Sequence, residues 1–158
     1  MKKTIALLTC AATLCFSTGL SLAADVGPTV AAKPSTSEQM SKAREAIKNK
    51  DWQKSLSELT AAVKVEPRNP DIHTLLGLSY RKQASPDMPR AFEHYKTALS
   101  LNPKHKGAHE YIGEAYLMDK KPDQAEKHLL ELEKVCGNKT CEEYADLSKA
   151  IAAYKSKS

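Results

Sequence analysis

The chain reads Lys96-Thr-Ala-Leu-Ser-Leu-Asn-Pro103, and thirty-six residues before that proline it reads Ala61-Ala-Val-Lys-Val-Glu-Pro67. Each stretch has an apolar pair (Ala98 and Leu99; Ala62 and Val63), a further apolar residue (Leu101; Val65), then proline. Proline lacks the N–H a helix needs and its ring clashes with the preceding turn, so each stretch is read as the end of a helix. The same phrase at that distance points to a repeated helical unit.

Reading backwards from each proline gives the helix face. Before Pro67 stand Trp52, Leu56, Leu59 and Val63, spaced 4, 3 and 4 apart. Before Pro103 stand Ala91, Phe92, Tyr95, Ala98 and Leu99 on the same spacing. Residues so spaced share one side of a helix. Carrying the register forward 34 residues predicts Ala125, Leu129 and Leu132 on a third such face, with a stop at Gly137. Each of these helices follows another: 36–48 with Ala43 and Ala46, 70–83 with Leu76, Gly77 and Tyr80, and 106–120 with Ile112, Gly113 and Tyr116. Ser35 with Glu38 predicts a capping box at the first start.

Two helices cross closely only where side chains are small. Ala43, Gly77 and Gly113 are therefore expected to face Ser55, Ala91 and Ala125. A mid-helix glycine costs about 1 kcal/mol against alanine, so Gly77 and Gly113 imply close packing. Trp52, Tyr80, Tyr95 and Tyr116 are expected to fill the space between helix pairs. No single pair hides its apolar surface; stacking does.

A helix with Leu-Gly-x-x-Tyr, then one with Ala-x-x-x-Tyr-x-x-Ala and a terminal proline, resembles the tetratricopeptide repeat, of which three copies fit: 36–69, 70–105 and 106–137. The second copy has two extra residues in its loop, 84–90, which accounts for the spacing of 36. The resemblance implies an all-α, right-handed α-solenoid. Residues 141–155 read as one more helix, with Tyr144, Leu147, Ile151 and Tyr154 on one side. It would cap the solenoid, within a closing segment 138–158.

The N-terminus reads differently. Lys2 and Lys3 precede a short apolar run, and Ser21-Leu22-Ala23 offers small residues for a signal peptidase. Residues 1–23 are therefore expected to be a cleaved signal peptide, and 24–35 a flexible leader. The apolar run is too short for the ~20 residues that span a bilayer. Cleavage would lower the net charge from +5 to +3. That mild charge, with no basic tract interleaved with aromatics, argues against nucleic acid as a partner. The bacterial style of the leader places the protein in the periplasm of a Gram-negative cell, and Asn138-Lys139-Thr140 is then not a used glycosylation site.

Cleavage also removes Cys10 and Cys15, leaving Cys136 and Cys141. An even pair in a secreted chain reads as a disulfide, here closing a short loop. A redox pair or a metal site are the alternatives, although redox pairs favour C-x-x-C and a metal needs further ligands.

Catalytic signals are missing: there is no G-x-S-x-G, phosphate loop or dinucleotide fingerprint. His109-Glu110 opens like a zinc-protease helix, but Gly113 stands where its second histidine belongs. His105 and His109 are four apart, with capping as the simpler role for His105, while His73, His94 and His128 are expected at the surface. No enzyme and no cofactor is implied.

Surface recognition remains. By the family resemblance, the first helix of each pair lines a concave groove. That assigns Met40, Arg44 and Lys48 from the first copy, Thr74, Leu78, Arg81 and Lys82 from the second, and Glu110, Glu114 and Met118 from the third. The groove would be basic at one end and acidic at the other. Arg44 and Arg81 would pair with carboxylates of an acidic, apolar peptide. The Lys/Asn carboxylate clamp of chaperone-binding repeats is not matched, since Met40 and Arg44 stand in its first positions. The function expected is a non-catalytic periplasmic adaptor holding a protein or peptide, for assembly of an envelope complex. The rival expectations are a self-associating structural protein and an accessory metal or redox protein using Cys136 and Cys141. The oligomeric state is left open.

Overall fold

A computed structural model describes residues 34–157. The expected signal peptide and nearly all of the expected leader lie outside them. The described residues form seven α-helices: α1 Thr36–Lys48, α2 Trp52–Val65, α3 Pro70–Lys82, α4 Met88–Leu101, α5 Lys106–Met118, α6 Pro122–Cys136 and α7 Glu142–Lys155. Helices α1/α2, α3/α4 and α5/α6 pair as hairpins, and each hairpin packs on the next, α2 on α3 and α4 on α5. Helix α7 packs on both α5 and α6. The molecule is the all-α solenoid the repeats demand. Among the described residues, no helix is long and apolar enough to cross a membrane.

The helix starts are written locally. Side chains of Ser35, Asp51, Asn69, Asp87 and His105 each accept from a backbone N–H in the first turn they cap. Only half of the expected capping box forms: Ser35 accepts from Glu38 N at 3.2 Å, but the Glu38 carboxylate turns to Lys42 at 2.6 Å. The stop at Gly137 is real, with φ +71, a left-handed value that glycine adopts without Cβ strain.

The core runs through the stack in three clusters. Leu59, Ile72 and Leu76 centre the first, Tyr95 and Ile112 another, and Leu132 and Leu147 the last. Full burial of each aliphatic side chain contributes roughly 1.5–3 kcal/mol. Tyr80 borders two of the clusters, and Phe92 meets Tyr116 at 4.8 Å between ring centres, so these aromatics do join neighbouring hairpins. The neighbours of Gly77 and Gly113 are bulkier than expected. A Cβ on Gly77 would stand 2.5 Å from the ring of Tyr95, and one on Gly113 would stand 2.6 Å from Leu147. The small residue on α3 thus makes room for a large one on α4, and that on α5 makes room for the capping helix. Buried Ser55 donates to Ser79 at 2.8 Å, because the Ser79 hydroxyl proton is taken by Leu75 O.

Disulfide-bonded Cys136 and Cys141 bracket the turn between α6 and α7. Their sulfurs, with Glu143, are the one set of metal-ligating atoms that comes together among the described residues. Both sulfurs are committed to each other.

Candidate functional site

The sequence assigns binding to the first helices α1, α3 and α5, and α7 packs against α5. The residues assigned divide by burial. Arg44, Lys48 and Lys82 are exposed and Met40 is half-buried. Leu78 belongs to the first core cluster. Thr74 is buried, and its hydroxyl donates to Pro70 O at 2.8 Å, one turn back. Met118 is 49% exposed.

Arg81 departs most from expectation. Its side chain is 2% exposed, and its guanidinium is ion-paired with Glu114. Nε donates to the Tyr95 hydroxyl at 3.3 Å, and the group lies 6.0 Å from the centre of the Tyr111 ring. Burial of a guanidinium is expensive, and the pairing with Tyr95 and Glu114 more than offsets it, keeping Arg81 charged. Burial raises the pKa of Tyr95, despite Arg81. Arg81 is therefore a joint between α3, α4 and α5. It is not the open cation that a partner carboxylate was expected to meet.

Glu110 is the opposite case. It is 9% exposed, yet no hydrogen bond or ion pair reaches its carboxyl among the described residues. Burial first, then Glu114, Asp146 and Glu143, push it up to about 8. Asp146 and Glu143 come from α7, a helix the sequence reading treats only as a cap. The same surroundings push the Tyr111 phenol up.

Two hollows open beside these helices. One, of about 190 Å³, is lined by Arg44, Asp71, Thr74, Leu75, His105, Gly107, Tyr111 and Glu143. His105 caps α5 through Nδ1 and reaches Asp71 through Nε2 at 2.9 Å. The other, of about 350 Å³, lies among the ends of α3, α5 and α7, with Met118, Leu117, Ala150 and Tyr154 between Lys82 and Lys157.

The histidines expected at the surface form a second system. His73 and His109 are buried. The Nε2 of each meets a backbone carbonyl six residues back, Pro67 O and Pro103 O, both at 2.9 Å. A carbonyl only accepts, so each Nε2 carries the proton and each Nδ1 is bare in the neutral ring. That Nδ1 accepts from His94 at 3.1 Å in one hairpin and from His128 at 2.9 Å in the next. His94 stacks on Tyr80 and His128 on Tyr116. Burial, then the facing histidine, lowers His94 and lowers His128 to about 4. His109 is thus fully used away from His105, and the two do not assemble as metal ligands. The signal was present: Pro67 to His73 and Pro103 to His109 have one spacing, inside the repeat that the sequence already declares.

A family model described as tetratricopeptide repeat matches residues 40–99 and 87–135. The chain belongs to the tetratricopeptide repeat family. Among solved structures, the repeat domain of Sgt2 from Aspergillus fumigatus is 19% identical, covering 79% of this chain and 80% of that one, with a TM-score of 0.67. The TPR2B domain of yeast Sti1, in its pHsp70 complex, is 14% identical, covering 78% and 98%, at 0.68. The first repeat domain of Spaghetti (RPAP3), bound to the HSP90 peptide SRMEEVD, is 16% identical, covering 77% and 93%, at 0.65. At these identities the likeness is one of fold. No curated protein sequence matches the chain.

Proposed function

We propose that this tetratricopeptide repeat protein is a non-catalytic adaptor that holds a protein or peptide against α1, α3, α5 and α7. It is exported by the signal peptide read at 1–23, acts in the periplasm, and serves assembly of an envelope complex. One observation carries the reading. Met118 is 49% exposed within a hollow rimmed by Lys82 and Lys157, an apolar foothold between charges on the groove face. Methionine adapts its shape to a partner's side chains. The fold is shared with domains whose structures hold an HSP90 peptide or a pHsp70 complex. The test is affinity capture from the native envelope, followed by mass spectrometry, with wild type against Met118→Asp combined with Arg44→Glu. Loss of one dominant partner is expected, and unchanged capture moves the site off this face.

A second reading rests on Leu130, 57% exposed beside a hollow that Leu129, Tyr144 and Ile151 line at the α6–α7 end. A second copy seated there would make the protein self-associating. Light scattering over a range of concentrations separates the readings, because a mass that stays monomeric removes self-association.

A further inference from the structure

Two histidine pairs hold the same place in successive hairpins. His73 faces His94 across α3 and α4, and His109 faces His128 across α5 and α6. The first hairpin makes its joint without imidazoles. There Gln39 and Glu58 hold the matching places, and Ala46 stands where Tyr80 and Tyr116 stack on the outer rings.

The geometry fixes how many protons each pair can hold. The inner rings, His73 and His109, donate Nε2–H to Pro67 O and Pro103 O. Their Nδ1 accepts the Nδ1 proton of the outer ring, at 3.1 Å in one pair and 2.9 Å in the other. One extra proton has a place, on Nε2 of His94 or His128, where it leaves the shared hydrogen bond intact. A second has none. It would sit on Nδ1 of a buried inner ring and set N–H against N–H between two cations. In the unfolded chain both histidines of a pair take up a proton near pH ~6.5. Each closed hairpin therefore excludes at least one proton that its open form binds.

No neighbouring charge relieves this. The charges that act on His94 are those of His73 on α3 and of Glu93 and Arg90 on its own helix. Those that act on His128 are His109 on α5 and Glu131 on its own helix. Arg90 is paired with Asp87, and Glu131 with Lys134. Neither Glu93 nor Glu131 accepts a hydrogen bond from a ring among the described residues. Glu110, on the groove wall with the acids of α7 around it, is in neither set. Burial lowers both outer rings, which resists even the first proton.

We infer that the two histidine pairs are an acid-operated latch, which a further proton on an inner ring breaks, so that acidification opens the hairpins α3/α4 and α5/α6 in preference to α1/α2. The middle interface, α4 on α5, couples the two openings. On the reading of α3 and α5 as the groove face, a bound partner is discharged as the latch opens; the latch itself does not depend on that reading.

The experiment uses the mature chain with no partner, so failure of the groove reading would leave it unchanged. Hydrogen exchange is measured at pH 7 and pH 5 and corrected for the intrinsic rate. Helices α3–α6 should lose protection about twentyfold or more for each pair, and α1 much less. The comparison is His94→Gln combined with His128→Gln. A glutamine amide can turn to offer the inner ring a donor or an acceptor, so it tolerates protonation. The double variant should keep its protection within about threefold over the same range. Nitrogen-15 NMR of the rings in the unaltered protein gives a reading that no folding defect can blur. His73 and His109 should stay neutral, with the proton on Nε2, wherever the α3–α6 amides are protected. A doubly charged pair in a protected hairpin would overturn the inference. So would equal loss of protection in the wild type and a helical double variant, or equal loss in all helices of the wild type.

Discussion

His109 and Glu110 are neighbours in sequence and both are buried on α5, yet the fold treats them oppositely. His109 faces the preceding turn and its own hairpin partner, and both its ring nitrogens are engaged. Glu110 stands near the acids of α7, and no hydrogen bond or ion pair reaches its carboxyl among the described residues. A residue repeated from copy to copy, as His73 and His109 are, serves the joint that every copy must make. A residue that occurs once, as Glu110 does among Gln39-Met40, His73-Thr74 and His109-Glu110, serves what this solenoid does alone. The joints are closed and the wall is open.

The joint side should show the largest effect when broken. His109→Ala removes two hydrogen bonds and strands Pro103 O and the His128 proton in a buried place. A loss of about 3 kcal/mol at neutral pH is expected in chemical denaturation. A loss below about 1 kcal/mol would mean that the pair is not closed as described.

The wall side should show itself through pH. Glu110 has a folded value of about 8, above its ordinary 4.5, so the folded state holds a proton that the unfolded state releases. Its stabilisation is full below pH 4.5 and is lost as pH rises to about 8. His128 runs the other way. With a folded value of about 4 against 6.5, its stabilisation is present above pH 6.5 and is lost as pH falls towards 4. The two slopes oppose each other between those ordinary values, and stability from these groups falls on either side. Glu110→Gln should remove the alkaline decline and raise stability at pH 9 by roughly 2 kcal/mol, the full linkage value being reduced by the solvent that reaches the carboxyl. Denaturation of both proteins between pH 5 and 9 checks this, and parallel curves would remove the distinction between joint and wall.

The wall also depends on α7 staying in place. Replacing both cysteines, Cys136→Ser with Cys141→Ser, should lower stability by about 2 kcal/mol, the chain-entropy value for so short a loop. Because α7 carries Glu143 and Asp146, the Glu110 proton should become more acidic as the helix frays. Melting curves with and without the bond, and hydrogen exchange along α7, test the two statements.

The smallest expected effect sharpens the joint itself. Gln39 holds in the first hairpin the place of His73 and His109; it is 3% exposed, and its Oε1 lacks a hydrogen-bond partner among the described residues. Gln39→Met should be neutral or stabilising by up to about 1 kcal/mol, the reverse of His109→Ala. A loss like that of His109→Ala would show that the first joint is closed after all.

Helix positions were legible because a helix face is a local matter. The spacing of Trp52, Leu56, Leu59 and Val63, and the caps Ser35 and His105, need only near neighbours. Gly77 and Gly113 announced close packing, but not that Tyr95 and Leu147 would fill it, because spacing does not say what lies across a gap. The groove charges were harder still. Arg81 and Glu114 are 33 positions apart, and only the stacking angle of the hairpins brings them together. Glu143 and Asp146 sat unnoticed on a helix read as a polar cap, and the surface expected for His94 and His128 was closed by Tyr80 and Tyr116.

The open wall can be tested at one atom. Carbon-13 NMR of the Glu110 carboxyl, titrated in the free protein, should give a midpoint near pH 8. A midpoint close to the ordinary 4.5 would mean that the carboxyl is solvated or already paired, and the contrast with His109 would fall.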